Sequence, residues 1–147
     1  MMSGLLIIAV SAVLFVGWNL YRQFGGDRIG ALCETRRSAS RIVSRGEFVD
    51  GSKHIEVALA LTGSTFFYET ADMHASLELQ WVKEIEYDTH LTTGDIAAGR
   101  VLRLRCYNQV FEFVLPSDVV PRWYLLLPPR RASSLAVPDI APELASA

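Results

Sequence analysis

The sequence predicts a mainly β protein in which an N-terminal transmembrane α-helix precedes a small antiparallel barrel of about seven strands, capped by a C-terminal helix. Three observations predict this fold: an uncharged apolar run at 4–21, a hydrophobic period of two from about Ile42 to Leu115, and a following apolar stripe at helical spacing. The 147 residues leave room for one modest domain. We therefore divide the chain into an anchor (1–22), a basic juxtamembrane linker (23–44), a β domain (45–129) and a tail expected to be disordered (130–147).

The N-terminal run has the properties of a membrane-spanning helix. Residues 4–21 are eighteen consecutive positions without a charge. A helix of this length covers roughly 27 Å, close to the hydrocarbon thickness of a bilayer. Trp18 and Tyr21 lie at its end, where amphipathic rings prefer the lipid–water interface. We assign the anchor to the apolar side chains Leu5, Leu6, Ile7, Ile8, Val13, Leu14, Phe15 and Trp18.

Two alternatives to an uncleaved anchor fit the sequence less well. A buried helix of a soluble protein seldom has this many uninterrupted apolar positions. A cleaved signal peptide would need a basic residue within 1–3 and a small-x-small site after Trp18, and the sequence has neither. Basic residues follow the run and none precedes it. The positive-inside rule then predicts a single-pass protein of the cell membrane with its N-terminus outside and its domain in the cytoplasm.

The charge distribution separates a basic collar from an acidic domain. Between residues 22 and 45 there are six arginines and two acids, whereas residues 46–129 contain six basic residues and twelve acids. An acidic domain disfavours nucleic acid as a partner, because phosphate binding needs clustered basic charge. The arginines either contact anionic lipid headgroups or serve only as the flank that fixes topology, which we favour. They are Arg22, Arg28, Arg36, Arg37, Arg41 and Arg45.

A short helix across Ile29 to Arg41 would fit the collar. Cys33 and Cys106 have no framework spacing, so we expect free thiols in a reducing compartment. Cys33 is a candidate for acylation if it lies near the membrane, although an unmodified thiol is the simpler interpretation.

The β domain begins where the hydrophobic period changes to two. From Ile55 to Leu61, large apolar residues alternate with Glu56, Ala58 and Ala60, which predicts a strand with one buried face. Asp50-Gly51 before this strand is a hairpin signal. Further strands are predicted at 64–69, at 77–81 with Leu77, Leu79 and Trp81 on one face, at 83–87, at 100–107 and at 110–115. This spacing suits an antiparallel meander.

One amphipathic helix follows the last strand. Ser117 is a candidate N-cap, and Asp118 in the first turn would favour the helix dipole. Trp123, Leu126 and Leu127 recur at helical spacing and form a stripe that can cover a barrel end. Pro128-Pro129 ends the helix.

This arrangement resembles the pleckstrin-homology-like (PH-like) superfold, most closely its bacterial and GRAM-type members. The resemblance covers roughly residues 42–128 and is carried by the segments 54–68, 77–86, 107–113 and 121–124. It implies a binding module for lipid headgroups, peptides or proteins. Phosphoinositide-binding members cluster basic residues on the first two strands. Here Arg45 and Lys53 are outnumbered by Glu47, Asp50 and Glu56, so the resemblance points to a protein partner.

No catalytic or metal-binding pattern accompanies this fold. The sequence contains no nucleophile elbow, phosphate-cradling glycine loop or zinc-protease helix. His54, His74 and His90 are dispersed, without ligand spacing to one another or to the cysteines. Arg103 and Arg105 share a strand face, and we expect cross-strand pairing with acids such as Glu112 on a solvated ladder. We therefore expect a non-enzymatic module without a cofactor, with the bilayer and a protein of unknown identity as its partners.

Overall fold

The computed structural model describes residues 27–132. Its elements are α1 (Arg28–Arg37), β1 (Ile42–Asp50), β2 (Lys53–Leu61), β3 (Thr65–Glu69), β4 (His74–Glu78), a 3₁₀ turn (Leu79–Trp81), β5 (Glu84–His90), β6 (Ile96–Cys106), β7 (Gln109–Leu115) and α2 (Val120–Leu126). Across 27–132 no helix has the length and apolarity needed to span a bilayer. The predicted anchor at 1–22, with all its assigned side chains, lies outside the described residues, as does the tail from 133 onward.

The seven strands form one antiparallel sheet in the order β4-β3-β2-β1-β7-β6-β5, curled into a half-barrel. β1 is the central strand and pairs with β2 along its whole length and with β7 through Glu47–Val49. The prediction of seven antiparallel strands followed by a helix is confirmed. Because the sheet is not closed, β4 and β5 are edge strands, and the 3₁₀ turn connects them.

The concave face of the sheet holds the main core. Phe66 lies at its centre, with its ring centroid 4.9 Å from that of Phe113 and 5.7 Å from that of Trp123. All three side chains are fully buried. Aromatic pairs at these separations add about 0.5–1.5 kcal/mol each to the free energy of burying their area. The core therefore depends on aromatic packing between two strands and the C-terminal helix.

Helix α2 closes the concave face through Trp123. The indole Nε1 of Trp123 donates a hydrogen bond to Oγ of Ser44 at 2.8 Å, so the one polar atom of the ring is satisfied inside the core. The helix begins at Val120 after Val119, and the prediction that Ser117 is its N-cap is wrong. A cap at Ser117 would place Pro121 where a backbone N–H must donate to the cap carbonyl, and proline has none. A later start puts Pro121 in the first turn, where no donor is needed.

Two glycines allow the strands to approach closely where the sheet bends. A Cβ on Gly99 of β6 would lie 1.9 Å from the Leu115 carbonyl oxygen, and a Cβ on Gly46 of β1 would lie 2.5 Å from Leu59 Cδ1. A backbone oxygen cannot move away as a flexible side chain can, so Gly99 has the stronger requirement. The Cβ on Gly46 would also lie 3.0 Å from the Val114 carbonyl oxygen of β7. The two glycines therefore let β1 and β6 approach the C-terminal end of β7 closely.

The outer face of the sheet is covered by α1, which packs against β1 and β2. Ala58 and Ala60 are buried, although they alternate with the core residues Val57, Leu59 and Leu61. The prediction that β2 has one buried face is therefore wrong for its second half. Their small side chains leave room for α1 on the outer face of the sheet, and this helix covers them. The short helix expected across Ile29 to Arg41 is present as α1, which ends at Arg37 and packs on the sheet, and the boundary placed at 44/45 falls inside β1.

The chain continues to pair with the sheet after α2. Arg130 forms an antiparallel bridge with Ile85 of the edge strand β5, with N–H···O distances of 2.9 and 2.8 Å. Its guanidinium also donates to the carbonyl oxygen of Val82. The tail predicted from residue 130 therefore begins with a residue that pairs with the sheet, because β5 has unpaired backbone groups on its outer side.

Candidate functional site

The opening of the half-barrel lies between β4 and β5, and we call it the seam. Both strands are sheet edges, and the 3₁₀ turn Leu79–Trp81 leads from one to the other. Edge strands carry unpaired N–H and C=O groups, which are a common route to strand addition by a partner. The first residues of β5 are covered by Arg130, so this edge already accepts an extended segment of the same chain.

Two aromatic side chains project from the protein at one end of the seam. Trp81 is 48% exposed and Tyr107 is 61% exposed, and their ring centroids lie 5.8 Å apart. Nζ of Lys83 lies 5.2 Å from the centroid of the Tyr107 ring, within the range of a cation–π contact. We call Trp81, Lys83 and Tyr107 the aromatic patch. Tryptophan and tyrosine are enriched among the residues that dominate protein–protein binding energy.

The backbone that presents Tyr107 adopts an unfavourable conformation. Tyr107 has a φ of 50° and is the only non-glycine residue with positive φ among residues 27–132. It lies in the two-residue turn between Cys106 and Gln109, which pair with each other. Turns of this length need positive φ at one or both central positions, and glycine or asparagine supplies it at lower cost. The turn therefore holds Tyr107 in a conformation that costs free energy, and it presents the ring at the protein surface.

A groove runs along the outer edge of β5, beside the residues Glu84 to Tyr87. It has a volume of about 710 Å³ and is lined by Glu84 to Tyr87, Tyr124 and the segment from Pro129 to Ala132. Tyr87 donates its hydroxyl to the Leu127 carbonyl oxygen at 2.8 Å, and its ring lies 5.1 Å from that of Tyr124. Burial raises the pKa of the Tyr87 hydroxyl far above its usual value, with a smaller contribution from Tyr124. Tyr87 is thus a neutral structural donor, and Tyr124, at 50% exposure, supplies the accessible ring.

The structure divides the collar arginines into paired and unpaired groups. Arg36 binds Glu69 through both carboxylate oxygens, and Arg45 contacts Glu56 at 3.0 Å and Asp27. Arg37 contacts Glu34 at 3.0 Å on the exposed side of α1. The ion pairs found within 27–132 include neither Arg28 nor Arg41, which are exposed. Arg22 lies outside the described residues. Of the five collar arginines that the structure describes, three are therefore engaged with carboxylates and two remain available for another contact.

Arg103 organises an acidic cluster on the outer face. Its guanidinium contacts Glu112 at 3.1 Å, Glu86 at 2.9 Å and Asp88 at 3.3 Å. The predicted cross-strand pairing with Glu112 is confirmed, and Arg105 pairs with Glu84 at 3.1 Å. The predicted solvated ladder is wrong for Arg103, whose side chain is only 11% exposed. The three acids thus neutralise a largely buried cation, which gives them a structural role.

The titratable side chains are distributed rather than convergent. Nδ1 of His54 lies 3.0 Å from Glu47, Nδ1 of His74 lies 3.4 Å from Glu69, and His90 contacts the Thr89 hydroxyl. Among the residues that the structure describes, no three His, Cys, Asp or Glu side chains are placed to hold a metal ion. Cys33 and Cys106 are free and buried, and burial raises both thiol pKa values. Burial also makes Cys33 a poor acylation site.

Sequence reasoning missed the aromatic patch. Trp81 is expected on the buried face with Leu77 and Leu79, but β4 ends at Glu78 and the 3₁₀ turn shifts the period. Val82 is buried in place of Trp81. The turn is also one residue earlier than Asn108-Gln109, at Tyr107 and Asn108. The available signal was the concentration of aromatic residues beside two connections, since connections carry much of the binding surface of proteins.

Comparison with known proteins gives no relative from which a function can be transferred. No protein-family model matches the chain, and no curated protein or solved structure shows significant similarity to it.

Proposed function

We propose that this chain is a single-pass, membrane-tethered interaction module, non-catalytic and PH-like, that binds a protein partner at the seam on the cytoplasmic face of the cell membrane. The apolar run at 4–21 supports the tether and the following arginines support the orientation. The half-barrel with a C-terminal helix across its concave face supports the PH-like assignment. A module of this kind would assemble or scaffold a membrane-associated protein complex.

The observation that carries the proposal is the exposed Trp81–Tyr107 pair beside an open sheet edge. Two large rings held 5.8 Å apart offer an apolar contact of low conformational entropy, and Lys83 adds a positive charge next to them. The complementary surface is an apolar side chain flanked by a carboxylate on an extended segment. Such a segment can also pair with backbone groups of β5, as Arg130 does.

The proposal is tested by site-specific photo-crosslinking in cells with the full chain. A photoreactive residue at Asn108, beside the aromatic patch, should give a discrete protein adduct that survives high salt. The adduct should disappear when Trp81→Ala and Tyr107→Ala are combined. The matched control is Ile96→Ala, because Ile96 is an exposed apolar residue at the opposite end of β6. An adduct that persists in the double variant would overturn the proposal, and so would labelling of lipid alone.

A second candidate is binding of anionic lipid headgroups by the collar. Arg28 and Arg41 favour it, because both are exposed and outside the ion pairs of the described residues. Each basic residue near a membrane surface contributes about 1 kcal/mol. Reversing both charges (Arg28→Glu, Arg41→Glu) should then lower the amount of anionic lipid that copurifies with the chain. Unchanged lipid recovery would eliminate this candidate. It would not bear on the proposal of a protein partner at the seam.

A further inference from the structure

Helix α1 crosses the outer face of three strands and is held at both ends. On that face the register aligns Arg45, Ala58 and Glu69 in one row, with Val43, Ala60 and Phe67 in the next. The N-terminal end of the helix lies at the β1–β2 side, where Asp27 contacts Arg45. Its last turn reaches β3, where Arg36 binds Glu69 and lies 4.0 Å from the Phe67 ring centroid. The alanines lie between these two contacts, so α1 crosses the three strands with one charged contact at each of its ends.

Apolar burial contributes little to this docking. The helix reads RIGALCETRR, and Cys33 is its only buried residue. The fully buried residues of the sheet opposite it are the small Ala58 and Ala60, and the larger Val43 and Phe67 beside them are only partly buried. The free energy gained when a helix docks is proportional to the apolar area that it removes from water, and α1 removes little. Charge must therefore supply much of the attraction.

The Arg36–Glu69 pair is the stronger of the two fastenings. The Glu69 side chain is 4% exposed and that of Arg36 is 33% exposed. Arg36 Nε donates to Glu69 Oε2 at 3.0 Å while Nη2 donates to Oε1, which is the two-point arrangement that binds carboxylates best. The other fastening, Asp27–Arg45–Glu56, is solvent-exposed and hence screened by salt. Removing Arg36 would leave the Glu69 carboxylate without its arginine in a site that water barely reaches, whereas removing Glu69 would leave the partly exposed Arg36 without its carboxylate.

We propose that α1 is an electrostatic latch that reversibly docks on the outer face of β1–β3 and sets how far the domain reaches from the segment before residue 27. When the latch is closed, the chain enters the domain at the side of the sheet. When it opens, residues 27–41 join the tether and extend it by up to roughly 50 Å. Opening also uncovers Ala58, Ala60 and Phe67 as a new apolar surface. The latch does not depend on the identity of the seam partner.

Thiol labelling of the full chain in detergent measures latch opening directly. Cys33 is on the side of α1 that faces the sheet, Cys106 lies in the main core, and both are buried free thiols. Labelling of Cys33 therefore reports release of α1, whereas labelling of Cys106 reports opening of the core. We expect Cys33 to react faster than Cys106 under native conditions, and faster still when NaCl is raised. Glu69→Gln should accelerate Cys33 labelling roughly tenfold, the effect of losing a charge-assisted hydrogen bond, and leave Cys106 unchanged.

The control variant is Glu47→Gln, which removes an exposed contact with His54 from the same face of the sheet and should change neither rate. Equal labelling rates at Cys33 and Cys106 in the wild-type chain would overturn the latch, because α1 would then separate only when the whole domain unfolds. The same conclusion would follow if Glu69→Gln accelerated both thiols equally or neither. The comparison of the Cys33 and Cys106 labelling rates in the wild-type chain tests the latch even if Glu69→Gln does not fold.

Discussion

The two helices cover opposite faces of the same sheet by different means. Helix α2 inserts Trp123 into the concave face, where the ring is fully buried against Phe66. Helix α1 lies on alanines and is fastened by ion pairs that involve Asp27 and Arg36. Apolar burial makes an element part of the cooperative core, whereas ion pairs at a surface leave it separable. The difference predicts that α2 unfolds with the sheet and that α1 can leave it.

The largest effect is expected from Trp123→Ala. Truncating a buried tryptophan costs about 3–5 kcal/mol, and the variant would also lose the hydrogen bond to Ser44. Urea unfolding of the full chain in detergent, followed by near-ultraviolet circular dichroism, should show a much lower midpoint. Tyr124→Ala is the control, because Tyr124 is half-exposed on the same helix and should have a small effect. An unchanged midpoint in Trp123→Ala would show that α2 is not part of the core.

A smaller and more local effect is expected from Ala60→Leu. The larger side chain would fill the space between β2 and α1, where overpacking costs about 1–3 kcal/mol. Helix α1 should move before the sheet does, so Cys33 should become reactive while the urea midpoint of the core changes little. Ala98→Leu adds the same volume at an exposed site on β6 and should affect neither. A lower core midpoint without release of Cys33 would indicate that α1 is rigidly fixed.

Much of the main core could be predicted from sequence, and most of α1's docking could not. Alternation over Ile55–Leu61 and the stripe containing Trp123 identify β2 and α2 because each pattern lies within one element. The contact of Arg36 with Glu69 joins residues 33 positions apart, and no local pattern encodes such a pair. The bridge between Ile85 and Arg130 has the same non-local origin. The alternation from Leu77 predicts a buried Trp81, but the 3₁₀ turn Leu79–Trp81 changes that period and leaves the ring half-exposed.

The pH dependence of α1 docking follows from Glu69. The hydrogen bond from Arg36 is the main cause that lowers the pKa of this carboxyl, with burial opposing it and His74 assisting. A lowered folded-state pKa stabilises docking above the unfolded pKa of about 4.3, and this stabilisation is lost as the pH falls through the folded value. A carbon-13 NMR titration should give a Glu69 midpoint below that of an unperturbed glutamate. Arg36→Gln should raise that midpoint, because burial is then opposed only by the contact with His74.

The smallest effect is expected from Arg45→Gln at the other end of α1. Exposed ion pairs contribute about 0.2–1 kcal/mol, although Arg45 contacts both Asp27 and Glu56. The variant should loosen the first turn of α1 slightly and make docking less sensitive to NaCl, measured again as Cys33 labelling. A larger effect than that of Glu69→Gln would contradict the account, because it would show that the Asp27–Arg45 contact contributes more to docking than the Arg36–Glu69 pair.

The most direct measurement is hydrogen exchange of the full chain, followed by mass spectrometry at low and high NaCl. If the two helices differ as argued, the amides of Arg28–Arg37 should exchange faster than those of Val120–Leu126. Only the α1 amides should respond to salt, since charge holds that helix and apolar packing holds α2. Equal protection of the two helices, or an equal response to salt, would contradict the distinction and make α1 an integral part of the domain.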